Sequence, residues 1–356
     1  MNLNKRIKLA QIEASVWWQD ILIKLSKNLD KPLNKPTLIT FNLTPNCVLR
    51  CRQCDIWKNP PEKQLSFEDA KIIIDRLHKW LGSCYIFFTG GEPLLNKDLP
   101  KIIGYAYSLG IISHINSNGV LLDKTMAKKL TDNHLFAISI SIDGAKAKTH
   151  DYLRGIPGTF NKAIKAIEFL RSCADIPKIY INTVMMKDNI NELLDLVKIA
   201  KDKNTDGIFY QCLLPNFGPK SDSRVTKNNP LWPKQKEVAV VMKEMIKKTK
   251  SEPLILSSEN DFKMAIKYFK NPHLFNDSTC AAGVNNFVID YYGDVRLCFI
   301  FTKIGNIFEE KPETLWWNKT AQRQRKHIRN CKKSCKIIAC NKADTRRNKT
   351  AALNLF

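Results

Sequence analysis

The sequence predicts an α/β fold: an open, three-quarter barrel of six strand-helix units followed by a small cysteine-rich region. Three observations carry this. From residue 38 apolar β-type runs alternate with helical patterns six times. Polar or glycine-rich signals fall at the ends of the first four runs. Five of the eleven cysteines lie after residue 279.

The strands read as LITFNL (38–43), CYIFFT (84–89), ISHINS (112–117), LFAISISI (135–142), KIYINTV (178–184) and GIFYQCL (207–213). Helical patterns fall between them near 66–80, 97–109, 123–131, 160–172 and 190–203. Such alternation means right-handed βαβ units and a parallel sheet, and six units leave a barrel open. In such a sheet the chemistry sits at the carboxyl ends of the strands. The stretch CVLRCRQC (47–54) follows the first strand and GGEP (90–93) the second, while NSNG (116–119) ends the third and SIDG (141–144) the fourth.

Around this unit the chain divides at residues 1–36, 37–230, 231–275, 276–345 and 346–356. Ile7, Ala10, Ala14, Trp17, Trp18, Ile21, Leu22 and Leu25 form a helical stripe in the first segment, expected to pack outside the barrel, with Trp17 and Trp18 candidates for peripheral membrane contact. NPLWPKQ (229–235) reads as a linker into one more helix. Region 276–345 holds the second cysteine set, and 346–356 is a basic tail.

Hydrophobic residues make up 44% of the chain, as in an ordinary globular protein. No stretch reaches the ~18 uncharged apolar residues of a membrane span. The first residues lack the apolar core of a signal peptide. The expectation is a cytoplasmic protein with reduced thiols, in which clustered cysteines bind metal. The net charge is +23, and residues 301–356 carry fourteen Lys or Arg against four Asp or Glu. Most of these charges are solvated face, but the surface suits an anionic substrate.

Cys47, Cys51 and Cys54 are three thiols, and a structural zinc needs four ligands. Zinc completed by His78 or His114 stays open on spacing alone. An iron-sulfur cube is the other reading, since three thiolates hold three irons and leave the fourth for another ligand.

CxxxCxxC at 47–54 followed by GGEP at 90–93 resembles the radical S-adenosylmethionine (radical SAM) superfamily. The resemblance implies a partial (β/α)6 TIM barrel and a catalytic 4Fe-4S cluster on Cys47, Cys51 and Cys54 whose open iron chelates S-adenosylmethionine. One electron then splits the sulfonium to methionine and a 5′-deoxyadenosyl radical, which takes a hydrogen atom from substrate. It implies cofactor contacts from Gly90, Gly91, Glu92 and Pro93, with Glu92 at the ammonium group. Asn118 and Ser141 stand where the family contacts ribose and carboxylate. Arg154, in HDYLRG (150–155), matches an arginine near the carboxylate. Asp143 shares a strand face with Ser141. Glycines at 90 and 91 are expected to let backbone approach the ligand. One departure stands out: the family's aromatic residue before the third cysteine is Gln53 here, so adenine contact falls to Trp57 or Ile56. Arg50 and Arg52 are read as compensating the thiolates or facing solvent.

CAAG (280–283), IDYYGDVRLC (289–298), GNIFEEKPETLWWN (305–318) and CKKSCKIIAC (331–340) resemble the SPASM extension or its shorter twitch form. The resemblance implies one auxiliary 4Fe-4S cluster on four of Cys280, Cys298, Cys331, Cys335 and Cys340, undecided by sequence, with zinc the alternative. Cys84 and Cys173 read as buried structural thiols. Cys212, at the end of the sixth strand, is a candidate hydrogen-atom donor by likeness to related epimerases.

The expected activity is therefore radical SAM chemistry with an electron donor such as flavodoxin or ferredoxin. A small molecule, sugar or lipid is ranked ahead of a peptide as substrate. Two observations set that order: only 36 residues precede the barrel, and the cysteine set looks like the twitch form. Peptide or protein modification by crosslinking, epimerisation or oxidation is the alternative. Rival classes are a zinc-binding nucleic-acid protein, which would need neither GGEP nor six βα units, and an inactive electron carrier.

Overall fold

The computed structural model describes residues 31–58, 64–214, 228–275 and 280–337, preceded by residues 18, 21–23, 25, 26 and 29. Six parallel strands form in the predicted places: β1 (Leu38–Thr44), β2 (Tyr85–Gly90), β3 (Ile112–Ser117), β4 (Ala137–Ser141), β5 (Lys178–Met185) and β6 (Gly207–Cys212). Their order is sequential from β1 to β6, and the sheet is not closed. Residues on both faces are buried because helices cover the outside and side chains fill the interior, the pattern of a parallel sheet.

The covering helices are α1 (Phe67–Leu81), α2 (Leu99–Ser108), α3 (Lys124–Asp132), α4 (Ala147–Arg154), α5 (Thr159–Arg171) and α6 (Leu193–Asp202). α1 starts at a capping box, in which Ser66 and Asp69 each accept from the other's backbone N–H. α4 falls outside the helical patterns predicted from sequence. It ends at Gly155 in the left-handed conformation (φ 75°), the ordinary glycine stop of a helix. After β6 two helices, α7 (Gln235–Lys248) and α8 (Glu259–Lys270), replace the single one predicted.

The floor of the barrel is filled by Leu38, Tyr85, Phe87, Phe136, Tyr180 and Phe209. His114 lies among these rings, with Nδ1 3.0 Å from the Tyr85 hydroxyl and Nε2 2.8 Å from Ser139 Oγ. Burial lowers its pKa to about 3, so it is a neutral core side chain and not a ligand completing a zinc site with the cysteine loop.

The C-terminal region is not a separate appendage. β7 (Asn286–Ile289) pairs in parallel with β1, and β8 (Asp294–Arg296) and β9 (Gly305–Asn306) follow antiparallel, giving one nine-stranded sheet. Trp80 of α1 packs against Phe287, Trp316 and Trp317, with ring centroids 5.5, 6.3 and 6.1 Å away. The two C-terminal indoles belong to α9 (Pro312–Trp317) and donate to Asn34 O (2.9 Å) and Pro32 O (3.1 Å).

At the N-terminal end the predicted stripe is partly reversed: Trp18 and Leu25 are exposed, and the buried contact is made by Ile23 against Val284. Ile7, Ala10, Ala14 and Trp17 lie outside the described residues, and no described helix is long and apolar enough to cross a membrane.

Candidate functional site

β1 ends at Thr44, and Pro45 and Asn46 lead directly into Cys47. The next strand holds this turn in place. Gly91 N–H donates to Thr44 O (2.7 Å) and Glu92 N–H to Asn46 O (2.8 Å). Here the glycines have a reason within the protein itself. A Cβ on Gly90, whose φ is +129°, would stand 2.1 Å from Thr44 O, and one on Gly91 2.1 Å from Asn46 O. Their bare backbones are what lets GGEP lie against the approach to Cys47. Gly91→Ala should therefore push Asn46 and Cys47 outward. The expected result is a loss of roughly 1–3 kcal/mol, the range for overpacking, seen as a lower urea midpoint, and incomplete iron uptake on reconstitution.

Glu92 is 1% exposed. Its carboxylate accepts from Ser117 Oγ (2.7 Å), Asn118 N (2.8 Å) and Leu94 N (3.2 Å). Burial still raises its pKa, with those three donors opposing. Pro93 is buried at the first position of a short turn, Pro93–Leu95. Asn118 reaches 3.9 Å from Cys47 Sγ with its amide nitrogen. Ser141 ends β4, half-buried.

The other side of the loop is strapped to the end of α4. Arg50 and Arg52 N–H groups donate to Arg154 O (3.2 Å) and Leu153 O (2.9 Å). The Arg154 guanidinium lies 3.8 Å from Cys51 Sγ and 2.8 Å from Asp143 Oδ2. Asp143 is fully buried. It also accepts from Gln53 Nε2 (2.9 Å) and Val184 N (2.9 Å), while its own N–H donates to His150 Nδ1 (3.1 Å). His150 is held neutral by burial, with a pKa lowered to about 3. Gln53, the departure from the aromatic pattern, thus ties the loop to Asp143. Trp57 donates to Cys51 O (3.3 Å) and carries Arg50 and Lys58 against its ring, while Ile56 is exposed.

The three thiols sense one another. Burial pushes Cys47 up to about 11, and Cys51, Glu92 and Cys54 raise it further. Burial also raises Cys51, with Arg154 opposing. Cys47 and Cys51 are thereby kept protonated until a cation displaces the protons. Among the described residues there is no disulfide, and no three Cys, His, Asp or Glu converge as ligands of a single ion do. Three thiols on one loop are the donors such a cube takes when its fourth iron is left open, so the donor set fits that group. The amide of Asn118 and the guanidinium of Arg154 supply hydrogen bonds to sulfur, a common means of steadying such clusters.

The second set gathers four of its five candidates. Cys298 is pushed up to about 11 by burial, with Cys280 and Cys331 adding to it. Cys335 rises to about 12 by burial, with Cys298, Cys280 and Cys331 adding. Cys340 lies outside the described residues. Cys212 is buried at the end of β6. Tyr268 donates to neighbouring Leu213 O (2.8 Å), and both Cys212 and Cys335 contribute to raising its pKa, which burial dominates. Sequence reasoning singled out Gln53 as a departure but not its bond to Asp143, and gave Tyr268 no role. The signal for Gln53 was its polarity at a position between two cysteines; Tyr268 carried none.

Residues 41–200 match the family model of the radical SAM superfamily, and residues 280–341 match that of an iron-sulfur cluster-binding domain, SPASM. An AdoMet-dependent heme synthase of Methanosarcina barkeri is 35% identical over 192 residues, 53% of this chain and 54% of that protein. A PqqA peptide cyclase of Bradyrhizobium diazoefficiens is 27% identical over 176 residues, 48% of this chain and 45% of its own. The chain thus spans about half the length of the curated relatives it matches. The structure of Streptococcus suis SuiB bound to S-adenosylmethionine superposes with a TM-score of 0.66 at 18% identity, covering 85% of this chain and 70% of that one, which is a likeness of fold.

Proposed function

Residues 41–200 of this chain belong to the radical SAM superfamily and residues 280–341 to the SPASM domain, and from that premise we propose that the protein reductively cleaves S-adenosylmethionine to modify a peptide. The observation that carries the cleavage is the clamp of GGEP on Thr44–Asn46, which sets Glu92 and Asn118 beside Cys47. Cys47, Cys51 and Cys54 would hold the catalytic 4Fe-4S cluster. When bound, that cluster supplies one electron to the sulfonium, giving methionine and a 5′-deoxyadenosyl radical able to take a substrate hydrogen. Glu92, buried beside the loop, would accept from the cofactor's ammonium group; Gly90, Gly91 and Pro93 hold it in register. Ser141 would face the cofactor from the end of β4. Asp143 and Arg154 act on the loop: one orients Gln53 and the guanidinium, and the other donates toward Cys51. Cys280, Cys298, Cys331 and Cys335 would hold the auxiliary cluster. Cys212 remains the candidate hydrogen donor on the rim.

The peptide reading reverses the order expected from sequence. That order leaned on the shortened twitch form, whereas the SPASM family model matches through residues 280–341. A relative named for peptide cyclisation adds support. The heme synthases at up to 35% identity favour a second reading, a small molecule of the heme type. Anaerobic turnover with dithionite is expected to release 5′-deoxyadenosine. Deuterated peptides and deuterated porphyrins then compete: label entering the nucleoside from peptide supports the first reading, from porphyrin the second. No nucleoside under any condition would refute cleavage itself.

A further inference from the structure

We propose that the barrel lumen receives an uncharged substrate side chain of the carboxamide class, a proposal that rests on the peptide reading above and names what the peptide presents. Strand alternation sorts the residues of β1 to β6 onto two faces. Ile39, Phe41, Ile86, Phe88, Ile115 and Ile181 go to the helix side. Leu38, Tyr85, Phe87, Tyr180 and Phe209 go to the lumen and close its floor. Above that floor, toward the cysteine loop, the same alternation gives each strand one polar side chain in the lumen: Asn42, Thr89, Asn116, Ser141, Asn182 and Gln211. Asn42 is level with Thr89, and Ser141 with Asn182. All six are half-buried, and among the described residues none of these side chains makes a hydrogen bond. Asn182 Oδ1 is shut off from solvent as well. An orphaned acceptor is costly, and a ligand that donates to it removes the cost. With Ser141 turned to the cofactor, five members of the ring remain for substrate.

The lumen is also uncharged. Of the described side chains that alternation turns inward from β1 to β6, Lys178 alone is ionic. It stands at the far end of β5, exposed, and pairs with Asp206 at 2.7 Å. His114, between floor and ring, is neutral. At the rim Arg154 is engaged by Asp143 at 2.8 Å. A carboxylate drawn into this cup would lose its water with no cation to meet it. A carboxamide instead brings two donors and an acceptor to Asn and Gln side chains that offer the same, and the hydroxyl of Thr89 can serve either way. An aliphatic side chain would leave the ring unsatisfied. The ring therefore counts against a substrate that presents carboxylates at this depth, as a porphyrin would.

The test uses the anaerobically reconstituted holoprotein with S-adenosylmethionine and three capped tripeptides, acetyl-Ala-X-Ala-amide, in which X is asparagine, aspartate or leucine. Ligand-observed nuclear magnetic resonance should give the asparagine peptide a Kd about tenfold or more below the other two. Asn182→Leu keeps the volume and removes the amide. It should erase that margin while iron content and the Kd of S-adenosylmethionine stay at wild-type values. Should Asn182→Leu lose iron, Gln211→Leu is judged by the same margin. Equal Kd values for the three peptides, or no binding by any of them, overturn the carboxamide site. So does a lower Kd for the aspartate or leucine peptide, or a margin that survives the substitution. A weakened Kd for S-adenosylmethionine in Asn182→Leu assigns the amide to the cofactor and overturns it too. Label passing from porphyrin to 5′-deoxyadenosine would count against the peptide reading, while the three Kd values still decide what the ring accepts.

Discussion

Cys51→Ala is expected to form no detectable 5′-deoxyadenosine and to hold about four fewer irons per chain after reconstitution. Of the three loop thiols it is the one most enclosed, 8% exposed, and the one approached by the Arg154 guanidinium. A cube cannot be held by the two remaining thiols, and Arg154 cannot substitute as a ligand because it only donates. Alanine removes one sulfur and no backbone contact, so the fold should survive, as judged by far-ultraviolet circular dichroism. Cys335→Ala makes the contrast: it should lose the auxiliary irons while cofactor cleavage persists. Cleavage that continues in Cys51→Ala would remove the three thiols from the mechanism.

Asp143→Asn should be the most destabilising conservative change in the barrel. The carboxylate is fully buried, its ion pair with Arg154 spans 2.8 Å, and that arginine's side chain is only 10% exposed. Breaking a buried pair on one side strands the other charge and costs roughly 3–5 kcal/mol. The amide also places a donor where Gln53 and Arg154 both donate, so one of those hydrogen bonds fails. Urea denaturation should show the loss, and Arg154→Gln added to Asp143→Asn should recover part of it, because the stranded charge is then gone. Additive effects of the two substitutions would show that the pair is not coupled. This is also why Arg154, expected from the family resemblance near the cofactor carboxylate, is better understood through the loop it steadies.

The six barrel strands were legible because strands buried on both faces read as continuous apolar runs between helical patterns. The three loop cysteines and GGEP were legible because the order of strand ends puts them on one rim. The helix Ala147–Arg154 was not, since its polar face and short length resemble a loop, although Gly155 marked its end. Nor was the pairing of Asn286–Ile289 with β1: a four-residue apolar run carries no record of a partner some 250 positions away. The full reason for the two glycines was not legible for a related reason. Sequence shows that a side chain is forbidden at 90 and 91, but only the fold shows that protein backbone, Thr44 to Asn46, occupies the space.

The seam between β1 and β7 has one more consequence. β1 leads straight into the first cysteine loop, and β7 follows directly on the segment that begins at Cys280, so the two sulfur sets are joined by a ladder of main-chain bonds rather than by a tether. Their separation is a matter of strand alignment, which changes only in whole-residue slips that would turn Phe287 and Ile289 out of the core. Severing the chain ahead of Cys280 would accordingly do more than delete a metal site: it would bare the flank of β1 as a template for foreign strands.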